Sequence, residues 1–203
     1  MIRSGRLLKV ILIGLSLLCV PATASFADTP AQQIKETVDR IVEILQDPTG
    51  KDGSKKAERR EMLRQALLPR FDFSEMARRS LGSHWKNQNG RQEEFIAAFT
   101  DFVGNAYIIK IESFKGERII YGRERVDKEL AEVETKIVPS KGEPFSINYK
   151  FHQVRGEWKI YDVIIENISL VNNYRSQFNR ILASASFDEL LKKLKERGSE
   201  KSS

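Results

Sequence analysis

The chain has 203 residues, 34 of them Lys or Arg against 28 Asp or Glu, and a single cysteine, so a disulfide-stapled module is excluded. The net charge of +6 is partly an effect of the first residues, because Arg3, Arg6 and Lys9 precede an apolar run over 10–20 and a small, polar stretch over 21–27. That order is the pattern of a secretory signal peptide, and an apolar run of about a dozen residues falls short of the ~20 that span a bilayer. Removing 1–27 takes away three bases and no acids, leaving 31 bases against 28 acids and a net of +3, too little to argue for nucleic acid.

Ser25 and Ala27 supply the small residues for cleavage ahead of Asp28, with Ala22 and Ala24 offering a second cut. Cys19 follows Leu18, where a lipoprotein cut wants a small residue, so lipidation is not expected. Residues 28–203 are expected to form one soluble domain of the bacterial periplasm, with a helical lobe over about 29–115, a sheet over about 117–168 and closing helices over about 170–195.

Thr29 and Pro30 read as a helix start, and Ile34, Val38, Ile41, Val42 and Leu45 recur at helical spacing until Pro48. A second helix from about Lys55 carries Met62, Leu63, Ala66 and Leu67 and stops at Pro69. Asp72 and Glu75 give a capping-box-like start to a short helix closed by Gly82. From Arg91 a long helix places Phe95, Phe99, Phe102, Val103, Ala106 and Tyr107 on one stripe.

After Gly116 the period falls to two, and strands are expected over 118–121, 129–138, 144–154 and 157–168. Arg155 and Gly156 make a hairpin turn between the last two. Phe145, Ile147, Tyr149 and Phe151 alternate with Ser146, Asn148, Lys150 and His152, so one face is apolar and the other wet. Two helices follow, over 170–182 and from Ser186 with Glu189 at capping spacing, and the charged tail from Lys192 is expected to fray. The fold class is α+β, with helices wrapped around one face of a curved antiparallel sheet of about four strands.

Catalytic motifs are missing from this pattern: no HExxH, GxSxG or phosphate-binding glycine loop, and two histidines, His84 and His152, that read as structural or solvated. Asp162 and Glu166 share a strand face but stand ~13 Å apart at about 3.3 Å per residue, too far to cooperate directly as acid and base. Lys110, Lys115, Arg118, Arg123 and Arg125 cluster between helix and sheet among Glu112, Glu117 and Glu124, either as a solvated mixed surface or as a basic docking rim.

Three segments taken together carry a resemblance. They are Phe71-Asp72-Phe73-Ser74-Glu75-Met76-Ala77 running on to Leu81, Gly82 and Trp85; the aromatic helix from Phe95 to Tyr107; and Trp158-Lys159-Ile160-Tyr161-Asp162-Val163 leading to Ile168-Ser169-Leu170-Val171 and Asn173-Tyr174-Arg175-Ser176-Gln177-Phe178. In this order and spacing they resemble the MlaC family, periplasmic phospholipid carriers of a bacterial lipid-asymmetry ABC transport system, also known as toluene-tolerance or ABC-transporter auxiliary proteins. The chain departs from that pattern at Asn167, where a glycine is expected, and at Asn105-Ala106-Tyr107, in place of a Thr-Tyr-Ala type sequence.

The resemblance implies an NTF2-like sheet with a helical lobe around an apolar cavity, acyl tails inside and the headgroup near solvent. It assigns tail contacts to Phe73, Met76, Leu81, Phe99, Phe102, Tyr107, Tyr149, Tyr161, Val163, Ile165, Leu170, Tyr174 and Phe178. Each of these is equally compatible with an ordinary core position. Also implied are a monomeric, non-enzymatic protein with no cofactor, phospholipid as cargo, and two partners: an inner-membrane MCE-domain ABC transporter complex and an outer-membrane lipoprotein complex. The setting is a Gram-negative periplasm. The rival readings are a small-molecule enzyme on a cone-shaped sheet-and-helix fold and an interaction module with a solid core and no lipid.

Overall fold

A computed structural model describes residues 29–47, 55–88 and 90–199. The signal peptide read in 1–27, and the break around Pro48 after the first helix, lie outside the described residues. Helix α1 (Pro30–Gln46) starts where the Thr29 hydroxyl accepts from the Gln32 N–H at 3.2 Å, with Pro30 at the position where a missing N–H does no harm. Helix α2 (Lys56–Leu67) runs into a 3-10 turn, Leu68–Arg70, at Pro69. Helix α3 (Phe73–Leu81) is capped by Asp72, whose Oδ1 accepts from the Glu75 N–H at 2.9 Å. The Glu75 carboxylate does not reach back to complete a capping box; Arg78 and Arg79 hold it instead, at 2.6 and 2.7 Å. Gly82, at φ 57, ends the helix in a conformation that side chains disfavour. Helix α4 (Gln92–Glu112) is the long aromatic helix.

Five strands follow: β1 (Arg118–Asp127), β2 (Leu130–Val138), β3 (Phe145–Val154), β4 (Glu157–Ile165) and β5 (Ile168–Ser169), all antiparallel and in sequential order. The first strand is longer than its sequence pattern predicts. It crosses Gly122 by an irregularity in register between Tyr121 and Glu124 and then resumes pairing to Asp127, so alternation is lost there but the ladder is not. Likewise the apolar run over 157–168 is two strands, because Glu166 and Asn167 take φ of 48° and 65° and turn the chain back. Asparagine tolerates the left-handed conformation, which is why it serves at 167 in place of glycine.

Helices α5 (Leu170–Leu182) and α6 (Phe187–Ser199) close the fold. Beyond Lys192 the chain does not fray as expected: α6 continues to Ser199 and buries Leu194 and Gly198. A Cβ at Gly198 would sit 3.2 Å from the Phe102 backbone nitrogen, so glycine lets α6 lie directly on α4.

Two cores result. One is helical, joining α3, α4, α5 and α6 around Phe95, Phe99, Tyr174 and Phe178. The other joins α1 to the inner face of the sheet through Ile34, Val133, Phe151, Trp158, Ile160 and Val163.

Candidate functional site

The concave face of the sheet and the helices over it do not close completely. Between α1, the end of α4 and the inner face of β1 to β4 lies a cavity of about 440 Å³, and a second chamber of about 150 Å³ shares with it the wall formed by Leu67, Phe71, Tyr107, Ile111, Ile147, Tyr149 and Ile165. The larger falls within the ~300–1,000 Å³ typical of ligand pockets.

The walls follow from the sequence patterns. On β3 the alternation turns Ile147, Tyr149 and Phe151 inward, and on α1 the helical stripe presents Ile34, Val38 and Ile41 to them. The last turns of α4 add Tyr107, Ile111 and, just beyond, Phe114. Burial pushes the Tyr107 hydroxyl far above its usual pKa and that of Tyr149 up to about 12, so both are neutral and add no charge to the wall. Polar atoms come from Gln33, Thr37, Arg70, Lys110, Ser113 and Glu117.

The residues assigned from the resemblance divide into three groups. Tyr107, Tyr149 and Ile165 line both chambers, while Phe73, Val163 and Leu170 line the smaller one. Met76, Leu81, Phe99 and Tyr174 pack inside the helical core, where Tyr174 meets Phe99 and Phe102 edge-on at 5.7 and 5.5 Å. Phe102 and Phe178, also part of that packing, border a groove between α5 and α6 on another side of the molecule.

Tyr161 stands apart. It is the extra residue where the β3–β4 register shifts, and it lies under the Arg79 guanidinium at 4.3 Å and beside His152 at 5.3 Å. That is the polar face of the sheet, opposite the cavity.

Several lining residues carry no signal in the sequence beyond apolar periodicity: Ile34, Val38 and Ile41 on α1, and Ile147 and Phe151 on β3. Their apolar faces were visible as periodicity, but nothing in periodicity distinguishes a wall from a filled core. Phe71, which bridges Ile160 on the stretch of β4 that β5 leaves unpaired, also lines the cavity.

The groups that suggested catalysis have structural partners. Asp162 is buried and accepts from the Ser169 hydroxyl at 2.6 Å and the Val171 N–H at 3.1 Å, tying the start of α5 to β4. Glu166 Oε1 accepts from the Ser146 N–H and hydroxyl at 2.5 and 3.1 Å. His152 Nε2 bonds Asp72 Oδ2 at 3.0 Å. Of the basic cluster, Lys110 reaches the cavity rim together with Glu117, whereas Arg125 pairs with Glu134 at 3.7 Å on the sheet. Among the described residues no group of His, Cys, Asp and Glu could hold a metal, and no helix is long and apolar enough to cross a membrane.

Comparison with known proteins places this geometry. Residues 35–196 match the model of the MlaC protein family. The intermembrane phospholipid transport system binding protein MlaC of Haemophilus influenzae is 22% identical over 187 residues, 89% of this chain and 87% of that protein. The toluene tolerance protein ttg2D of Pseudomonas putida is 27% identical over 88 residues, 43% of this chain and 39% of that protein. The structure of a phospholipid-binding protein from Ralstonia solanacearum, solved in complex with a phospholipid, superimposes with a TM-score of 0.70 at 23% identity, covering 82% of this chain and 95% of that one. The apolar cavity between α1, α4 and the sheet is therefore the cavity of a chain that belongs to the MlaC family.

Proposed function

We propose that this chain is a periplasmic phospholipid carrier that moves lipid between outer-membrane and inner-membrane transport complexes and so maintains the lipid asymmetry of the outer membrane. The observation that carries the reading is the apolar double chamber, whose polar lining groups sit apart from any catalytic constellation: Glu117 is its one carboxylate among the described residues. The family match and the names of the relatives support the same direction.

An apolar chamber is sufficient chemistry for a carrier. Each buried methylene is worth ~0.8 kcal/mol, so about thirty methylenes in two acyl chains would lose over ~20 kcal/mol on entering water. A cavity that replaces this burial makes transfer from membrane to carrier nearly balanced. No covalent step is needed, and the energy for direction comes from the partner transporter.

Export places the carrier between the membranes, with cleavage ahead of Asp28. The test is exchange: protein recovered from periplasm should start at Asp28 by intact mass and should speed transfer of fluorescent phospholipid between vesicles bearing the two complexes. A protein that retains residues 1–27, or that leaves transfer at the uncatalysed rate, contradicts the proposal.

A further inference from the structure

Arg70 ends the turn between α2 and α3, half-buried, and lines the larger chamber. Among the described residues its side chain forms no ion pair. The carboxylate that feels its charge, Glu157, is already held by Lys159 at 2.9 Å, and Lys159 also donates to the neighbouring Pro69 carbonyl at 2.9 Å. Neither Lys159 nor Glu157 lines the chamber, whereas Arg70 does.

Gln33 lines the same chamber, and its Oε1 is buried without a hydrogen-bond partner. Both residues line the one chamber, Gln33 next to Ile34 on α1 and Arg70 next to Phe71, and Ile34 and Phe71 pack in a common cluster. Lys110, the other cation of the lining, lies with its ammonium 5.8 Å from the Tyr107 ring centroid.

A cation without its own carboxylate and an amide oxygen without a donor, both bordering a space otherwise apolar, call for a ligand with three parts: an apolar body, an anion and a hydrogen-bond donor. We propose that Arg70 and Gln33 anchor a phospholipid headgroup, Arg70 by its charge on the phosphate diester and Gln33 by accepting a hydrogen from the headgroup alcohol or ammonium. The inference rests on the phospholipid-carrier reading and adds a headgroup preference to it. Ethanolamine and glycerol headgroups carry the required N–H or O–H; a choline headgroup, fully methylated, does not.

The experiment reloads delipidated full-length mature protein with dioleoyl phosphatidylethanolamine, dioleoyl phosphatidylcholine, or the uncharged dioleoylglycerol, and separately titrates inorganic phosphate. Arg70→Gln should weaken retention of both phospholipids about tenfold and change dioleoylglycerol less than about twofold, with Arg70→Lys restoring most of the loss. Gln33→Leu should narrow the preference for ethanolamine over choline, and Lys192→Gln, at an exposed lysine of α6 away from both chambers, should alter none of these ratios.

Equal weakening of dioleoylglycerol by Arg70→Gln, or no weakening of either phospholipid, overturns the anchor. So does inorganic phosphate binding as tightly as the lipid, which would assign the site to the free ion. A wild-type protein that retains no lipid at all, dioleoylglycerol included, defeats the carrier reading and the anchor with it, a result distinct from an anchor that fails in a lipid-loaded protein.

Discussion

Tyr149 and Val163 face each other across the β3–β4 ladder, and both side chains border the smaller chamber. Phe99, by contrast, is wholly enclosed in the helical core, between Phe95 at 5.9 Å and Tyr174 at 5.7 Å. This contrast separates wall from core experimentally.

Val163→Arg places a charge where the cavity can admit water and where the long side chain can lie along the chamber toward its polar rim. The variant should lose bound phospholipid at least tenfold while keeping a cooperative melt and its far-UV circular dichroism. Phe99→Arg buries an unpaired ion with no such route and should cost several kcal/mol, enough to unfold much of the protein. A folded, fully loaded Val163→Arg protein would place that side chain outside the lipid.

Asp162 joins β4 to the start of α5 through the Ser169 hydroxyl and the Val171 N–H. Asp162→Ala leaves a buried N–H without an acceptor and should lower stability by about 1–3 kcal/mol in urea denaturation. A loss of lipid exchange with unchanged stability would instead indicate a functional carboxylate.

The aromatic helix shows how far the residues alone could be read. Its stripe from Phe95 to Tyr107 was legible as buried, yet Phe95 and Phe99 go to the helical core while Tyr107 goes to the cavity, because the helix passes from one packing partner to another along its length. Periodicity records that a face is covered, and not by what. The turns were legible for a different reason: Thr29-Pro30, Asp72, Arg155-Gly156 and Asn167 each act locally, through a cap or a positive φ, so their effect does not depend on distant residues. Tyr161 was misleading because one residue inserted at the β4 register shift reverses which face it serves. The start of the cavity wall on α1 was present as Ile34, Val38 and Ile41, but only the shape of the sheet opposite leaves space beside them.

Stability should depend on acid through Glu75. Hydrogen bonds from Arg78 first, and from Arg79, hold its carboxyl down at about 2 against a usual value of 4.5, and burial opposes them. Because the folded-state pKa is depressed, the contribution is complete above about pH 4.5 and fades as pH falls toward 2. Solvent screening of the exposed arginines limits it to about 1 kcal/mol. Comparing Glu75→Gln with the parent by urea denaturation should show a deficit at pH 6 that shrinks by pH 3; a deficit independent of pH would mean that shape, and not charge, sets it.

The account turns on whether acyl chains occupy the space enclosed by α1, the end of α4 and the inner face of the sheet. Organic extraction of protein purified without detergent, followed by mass spectrometry, measures this directly. Diacyl phospholipid in near-stoichiometric amount is the predicted result, and recovery of only trace lipid from correctly folded protein would contradict it.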